Sequence, residues 1–276
     1  MTNAPILSVL ISTYRPEGIQ RVSAMALPRA NGIEYVVSWQ EHHDFPVPEE
    51  INQRSDIRVT RTESKGLSNN RNNALANARG EFVLIADDDV KYTHAQLQTI
   101  IDTFRNNPET DYASFRYSGS EKKTYPDTIT DLKKLPNGFY QSSIEIAFRR
   151  NLFTNGLQFC TMFGLGALFF KCGEEELLLL RARRLGLKCT FFPITITSHL
   201  HQSTGDRISD PGIIYSKGAL IALSHPATFI PRVFVNAWRI SKTGKLRFST
   251  ASGRMLKGAF YALSNKTIRK YALLPI

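Results

Sequence analysis

No Asp or Glu follows Asp210 in this 276-residue chain. Residues 211–276 nonetheless hold eleven Lys or Arg, from Lys217 to Lys270. The rest of the chain balances at 24 basic and 24 acidic residues, so the whole formal excess of +11 lies in the last quarter. A segment of one sign predicts an anionic partner: a membrane surface, a phosphorylated lipid or nucleic acid. Cysteine is also scarce. Cys160, Cys172 and Cys189 are odd in number and lack Cys-x-x-Cys spacing. This argues against a disulfide framework and a thiolate zinc site, and for a reducing compartment. The longest apolar run, Phe159 to Phe170, is too short to span a bilayer and is interrupted by Thr161, Gly164 and Gly166. Met1 to Pro5 lacks the basic-then-apolar layout of a signal peptide. The expectation is a cytoplasmic protein, peripheral on the inner membrane face. The common NTPase, dinucleotide, zinc-protease and esterase signatures are missing, as are internal repeats and low-complexity tracts.

What is present is an alternation of strands and helices. With 42% hydrophobic residues the chain can bury a sizeable core. Ile6 to Ser12 reads as a buried strand, stopped by Pro16 and followed by a helical stretch to about Arg29. Ile33 to Trp39 and Ile57 to Thr60 read as strands, with a polar, Pro-containing loop from Gln40 to Arg54 between them. Ser68 is placed to cap a helix over Asn69 to Ala78. A further helix over Thr93 to Phe104 and strands over Asp111 to Tyr117 and Phe139 to Phe148 follow. Leu187 to Phe192 reads as a strand stopped by Pro193. The fold class is α/β with a mostly parallel sheet. Residues 1–210 read as one domain and 211–276 as a basic, amphipathic helical segment. Its helices over Ile213–Leu223, Phe229–Ser241 and Ser252–Leu263 carry aromatics beside cations, a pattern suited to a membrane interface.

The chain is organised around Gly80 to Val90. Phe82 to Ala86 is a short apolar strand that runs into Asp87, Asp88 and Asp89. Asp is a poor strand former, so the strand should end near Asp87. Three adjacent carboxylates repel one another, and a hard divalent cation such as Mg²⁺ or Mn²⁺ relieves that while leaving room for phosphate oxygens. The carboxyl end of a strand in an open α/β sheet is where ligands sit. A solvated acidic turn is the bland alternative. A second acidic group, Glu174-Glu175-Glu176, opens a helix that ends in Arg181, Arg183 and Arg184. That layout suits the helix dipole with no further function. His199 and His201 stand two apart on one strand face; a lone His is more often structural.

Together these stretches resemble an inverting family-2 glycosyltransferase with the GT-A fold. Val9 to Arg15 is similar to the first nucleotide-contacting loop. Gly66-Leu67-Ser68-Asn69-Asn70-Arg71-Asn72-Asn73-Ala74-Leu75 is similar to the Gly…Ser…Ala-Arg-Asn helix start. Ala86-Asp87-Asp88-Asp89 matches the Asp-x-Asp site, and Gly173 to Leu177 with Arg181 resembles the helix that supplies the catalytic base. The ordered set covers roughly residues 5–205. The resemblance implies that Asp87 contacts the donor ribose and that Asp89, with Asp87 and His199, holds Mn²⁺ or Mg²⁺, with Asp88 between the two aspartates. It places Arg71 and Lys65 near the diphosphate, and Thr13 and Tyr14, with Arg15 and Gln40, around the nucleotide. Glu175 takes the base position, with Glu174 as its neighbour and rival. The implied donor is a UDP- or GDP-linked sugar, and the acceptor a saccharide or lipid-linked glycan of bacterial surface polysaccharide synthesis. The chain departs from the family where many members carry Asp-Asp-Gly-Ser after the second strand; here Val37-Ser38-Trp39-Gln40 leaves the base specificity open.

A nucleotidyltransferase would need a Gly-rich phosphate loop after the first strand, which Thr13-Tyr14-Arg15-Pro16 does not supply. A nucleic-acid binder driven by the basic segment leaves both acidic groups unexplained. A membrane binder with a degenerate transferase domain stays as the other alternative.

Overall fold

The computed structural model describes residues 4–119, 123–136, 138–198 and 210–273. β1 (Leu7–Tyr14) is buried from Leu7 to Thr13, as a strand covered on both faces must be. α1 (Arg15–Ala24) follows it directly, with Pro16 in the first turn, where a missing N–H removes no helical bond. Pro16 therefore lies inside the first turn of the helix, with no polar turn between it and the helix. The helix stops at Ala24, short of Arg29, because Ala26 takes a left-handed φ of 50° ahead of Pro28. β2 (Ile33–Gln40) comes next, and the loop expected over 40–54 contains a one-turn helix, α2 (Glu49–Asn52). β3 (Ile57–Thr62), α3 (Leu67–Asn77) and β4 (Phe82–Asp87) complete the first half.

α4 (His94–Asn106) starts with a reciprocal cap between Thr93 and Gln96. After β5 (Tyr112–Ser118) comes the two-residue β6 (Thr130–Asp131). The strand expected over 139–148 is reduced to β7 (Ile146–Arg149). Ser142 and Glu145 cap each other there and wind Ser143–Glu145 into a 3₁₀ turn. α5 (Asn151–Thr154) and α6 (Glu174–Arg184) follow. β8 (Cys189–Ser198) runs through Pro193 without stopping. Ser114 faces Phe191 but Arg116 faces Thr195, so residues 192–194 bulge out of register and Pro193 owes the ladder no donor. α7 (Pro211–Ser224), α8 (Phe229–Lys242), α9 (Phe248–Ser264) and α10 (Lys266–Leu273) close the described chain.

The eight strands form one sheet in the order β3-β2-β1-β4-β7-β5-β8-β6. β3, β2, β1 and β4 are parallel, as are β5 and β8; β7 and β6 pair antiparallel. Among the described residues, contacts divide the chain into two units. The first comprises residues within 1–65, 69–158 and 186–201, the second those within 66–68, 159–185 and 202–276. The first unit holds the sheet. Ile19 and Val22 of α1 and Leu97, Ile100 and Phe104 of α4 belong to its main core, with Val9, Ile11, Val37, Trp39 and Leu84 of the strands. In the second unit α7 and α9 cross at backbone contact. A Cβ added to Gly218 would lie 2.0 Å from the Met255 carbonyl oxygen, and one added to Gly258 2.0 Å from that of Tyr215. No described helix is long and apolar enough to cross a membrane.

Candidate functional site

Parallel pairing fixes which side chains meet at the carboxyl end of the sheet. Ser12 of β1 lies opposite Asp87 of β4, and Tyr14 opposite Gln40 of β2. This brings Thr13, Tyr14, Arg15, Gln40 and Asp87–Asp89 to one edge of the first unit.

The three aspartates divide their work. Asp87 Oδ1 accepts from Arg71 Nη2 at 3.2 Å, and Oδ2 accepts from Ser143 Oγ at 2.9 Å. The Arg71 side chain is 2% exposed and that of Asp87 35%, so a buried cation backs a carboxylate that still reaches solvent. Asp88 turns inward. Arg21 grips it with Nε at 3.1 Å and Nη2 at 2.8 Å, and Thr13 Oγ1 donates to it at 2.5 Å. Burial pushes the Asp88 carboxyl up, against the pull of Arg21 and Thr13. Asp88 therefore ties α1 and β1 to the turn after β4. Asp89 is exposed.

The loops at the ends of β1 and β2 are joined by Glu41. Its Oε2 accepts from the Tyr14 hydroxyl at 2.8 Å and from Arg15 Nε at 3.4 Å. The Tyr14 hydroxyl, and after it Arg15, hold the Glu41 carboxyl below its usual range. Arg15, Glu41, His43 and Asp44 all have left-handed φ, between 46° and 64°. The buried Gln40 amide donates to the Ser64 carbonyl at 2.5 Å, so it holds the following turn. Lys65 is exposed. Asn70 and Arg71 of α3 both face this edge, Asn70 donating to the Thr13 carbonyl at 2.8 Å.

The glutamates belong to the second unit. Gly173 takes φ 99° at the N-cap of α6, where the missing side chain makes a left-handed residue affordable. Glu174 is buried, Glu175 half-buried and Glu176 exposed. Gly164, at φ 110°, lies under Glu174: a Cβ there would come within 3.1 Å of Glu174 Cδ and of Ser68 Oγ. Ser68 is not the cap expected for α3. It sits inside the first turn, and its hydroxyl donates to the Phe163 carbonyl at 2.6 Å. Leu67 N donates to the Leu165 carbonyl at 2.8 Å, so the 66–68 stretch is sewn to the glycine turn. His199 and His201 lie outside the described residues.

Residues 45–170 match the Glycosyl transferase family 2 model. The fold is similar to that of S. aureus TarS, residues 1–349, at 15% identity and a TM-score of 0.58, covering 95% of this chain and 93% of that one. The same TarS fragment bound to UDP aligns at 16% identity with a TM-score of 0.58 over 95% and 93%. Its complex with UDP-GlcNAc aligns at 16% identity and 0.59, over 97% and 81%. A search of curated proteins by sequence finds no match. Residues 45–170 are thus similar to family-2 glycosyltransferases, and the fold is of the GT-A class.

The transferase match spans Arg71 and Asp87–Asp89; Glu174 and Glu175 lie beyond it. Among the described residues no group of three His, Cys, Asp or Glu forms a metal cage. A Mg²⁺ or Mn²⁺ ion held by one or two carboxylates, water and a diphosphate needs no such cage. The solvent-reaching Asp87 and exposed Asp89 are hard oxygen donors of the right kind, so the residues fit the ion. Arg21, Glu41 and Ser143 were not legible as site residues. Arg21 and Ser143 reach Asp88 and Asp87 from 67 and 56 residues away, and no motif marks either. Glu41 directly follows the strand whose end contacts the nucleotide in the family, which was the one available signal.

Proposed function

We propose that this chain transfers a sugar from a nucleotide-diphosphate sugar to a saccharide or lipid-linked acceptor, inverting the anomeric carbon, with Mn²⁺ or Mg²⁺. The carrying observation is Asp87 at the end of β4, held between buried Arg71 and Ser143 and followed two residues on by exposed Asp89. TarS has been crystallised with UDP and UDP-GlcNAc, so a UDP-linked sugar is the first donor to test and a GDP-linked one the second.

In this reading Asp87 receives the donor ribose, and Arg71 and Lys65 face the diphosphate. Thr13, Tyr14, Arg15 and Gln40 border the nucleotide. Asp88 keeps the turn in place. Asp89, with Asp87 and His199, would hold the cation, which supplies neutralising charge for the departing diphosphate. In the transfer the acceptor oxygen bonds to C1 as the bond from C1 to the diphosphate oxygen breaks, and the hydroxyl proton passes to Glu175. Glu175 is half-buried, whereas Glu174 is buried and packed over Gly164. Residues 1–210 serve as the catalytic part. The basic 211–276 segment meets an anionic membrane surface on the cytoplasmic side.

The test is a thermal-shift series with UDP, GDP and CMP, in Mn²⁺, Mg²⁺ or EDTA, on wild type and Asp89→Ala. A ligand at about a hundred times its Kd stabilises by about 2.7 kcal/mol, or roughly 5–10 °C for a chain of this size. One nucleoside diphosphate should give this shift only with metal, and Asp89→Ala should abolish it. No shift with any nucleotide and metal would sink the transferase mechanism.

A further inference from the structure

Helix α8 is apolar on two faces. Phe229, Val233, Ala237 and Ile240 are buried in the core it shares with α7 and α9. Ile230, Phe234 and Trp238 recur every fourth residue on the adjoining face, with Val235 beside them, and all four are exposed, Trp238 to 54%. Exposed Phe248, at the start of α9, lies 6.1 Å from Phe234 between ring centroids and widens the stripe. A row of this kind on a surface marks an interaction site. Its border is cationic: Arg239, Lys242 and Lys245 are exposed, and the Lys242 ammonium lies 5.4 Å from the centroid of the Trp238 ring. No Asp or Glu occurs in 211–276 to balance them.

We propose that α8 and the start of α9 lie in the headgroup layer of an anionic lipid membrane. Ile230, Phe234, Trp238 and Phe248 would enter the acyl boundary, and Arg239, Lys242 and Lys245 would meet lipid phosphates. This deepens the membrane reading of residues 211–276 given above, rests on it for the occupant, and names the surface. Charge decides the occupant. A second copy would bring the same uncompensated cations against these, whereas an anionic bilayer supplies counter-charge and an apolar layer together. Tryptophan and the long lysine stems suit such a boundary, with the rings in the apolar zone and the ammonium groups reaching outward. Each Lys or Arg near such a surface strengthens binding roughly fivefold.

The chain carries its own reporter. It has two tryptophans, and Trp39 is fully buried, so a change in emission on adding vesicles reports Trp238. The probe is phosphatidylcholine vesicles with about one-third phosphatidylserine, compared with phosphatidylcholine alone. Wild type should shift its emission to the blue and sediment with the anionic vesicles, and high salt should weaken this. Ile230→Ser with Phe234→Ser should lose the blue shift and at least about tenfold in binding. Arg239→Gln with Lys242→Gln and Lys245→Gln should lose on the order of a hundredfold. Both variants should melt with wild type. Absence of binding by wild type, or wild-type binding by both variants, overturns the proposal. So does a concentration-dependent dimer that Ile230→Ser with Phe234→Ser abolishes, because a second copy would then cover the stripe. Nucleotide binding measured on the same preparations separates the readings: a chain that binds nucleotide but no vesicle refutes the docking surface alone.

Discussion

Replacing Lys123 with Met should cost about 3 kcal/mol of stability, the lower end of what breaking one partner of a buried ion pair costs. The Lys123 and Glu145 side chains are each 1% exposed and form an ion pair. The ammonium also lies 4.4 Å from the Tyr140 ring centroid and 5.2 Å from that of Tyr125. Glu145 keeps two donors after the change, the Tyr125 hydroxyl and Ser142 N–H, which is why the lower figure applies. The pH dependence follows from the same geometry. Burial pushes the Glu145 carboxyl up, and Lys123 is the first of the groups that hold it down. Without Lys123 it should rise further. A carboxyl whose folded value lies above its unfolded value keeps its proton longer in the native state. The cost of ionising it in place is then present at high pH and relieved as pH falls. Urea unfolding should therefore show a larger deficit at pH 8 than at pH 5. Lys123→Met with Glu145→Gln should recover to within about 1 kcal/mol of wild type, because no unpaired charge remains. A single-variant deficit below about 1 kcal/mol, or one independent of pH, would refute the reasoning. The pair also bears on the site. Glu145 caps Ser142, and the next residue, Ser143, donates to Asp87. Nucleotide affinity should fall with the single variant and return with the double.

Gly164→Ala should cost about 1–3 kcal/mol in urea unfolding, since the position has φ 110° and the new methyl would press on Glu174 and Ser68; transfer activity should fall with it. Gly218→Ala should cost about 3 kcal/mol because its Cβ would meet the Met255 backbone. Gly253→Ala, on α9 but with open space around it, should instead gain up to about 1 kcal/mol of helix propensity. Burial pushes the Cys160 thiol up to about 11 and that of Cys172 up to about 12. A disulfide reagent at pH 8 should therefore label both slowly in the native protein and rapidly in urea.

The stretch 82–89 was legible because two signals of different physics coincide there: an apolar run of strand length and a charge cluster no strand interior accepts. The structure ends β4 at Asp87 accordingly. The helix over Glu174–Arg184 was legible for a similar reason, with acidic residues at one end, basic at the other and Gly173 before it. The misreadings share another cause. Phe139 to Phe148 alternates like a strand, but the alternation loses to a local capping box at Ser142 and Glu145. Pro193 reads as a stop only if every residue of β8 owes the ladder a hydrogen bond, and the bulge removes that debt. Ser68 has the chemistry of a cap, yet the Phe163 carbonyl, 95 residues away, takes its hydroxyl. Local patterns reveal where elements lie. They do not reveal which distant backbone groups compete for a polar side chain.

That competition also explains where the backbone is strained. Arg15, Glu41, His43 and Asp44 hold left-handed φ values without being glycine, and all lie just past the carboxyl ends of β1 and β2. Such conformations cost of order 1–3 kcal/mol each and persist only where neighbours over-determine them. Here the neighbours are identifiable. Trp39 Nε1 donates to the Arg15 carbonyl at 2.9 Å, and Glu41 receives Tyr14 and Arg15 from the adjoining loop. His42 packs edge-on against Trp39, with 5.7 Å between ring centroids. These contacts fix the two loops against one another at the edge that carries Asp87. Loops already locked in place lose less conformational entropy when a ligand binds, so a ligand at this edge would meet preorganised loops. Glu41, absent from every sequence motif, thus joins the loops at the same edge as the aspartates that the sequence singled out.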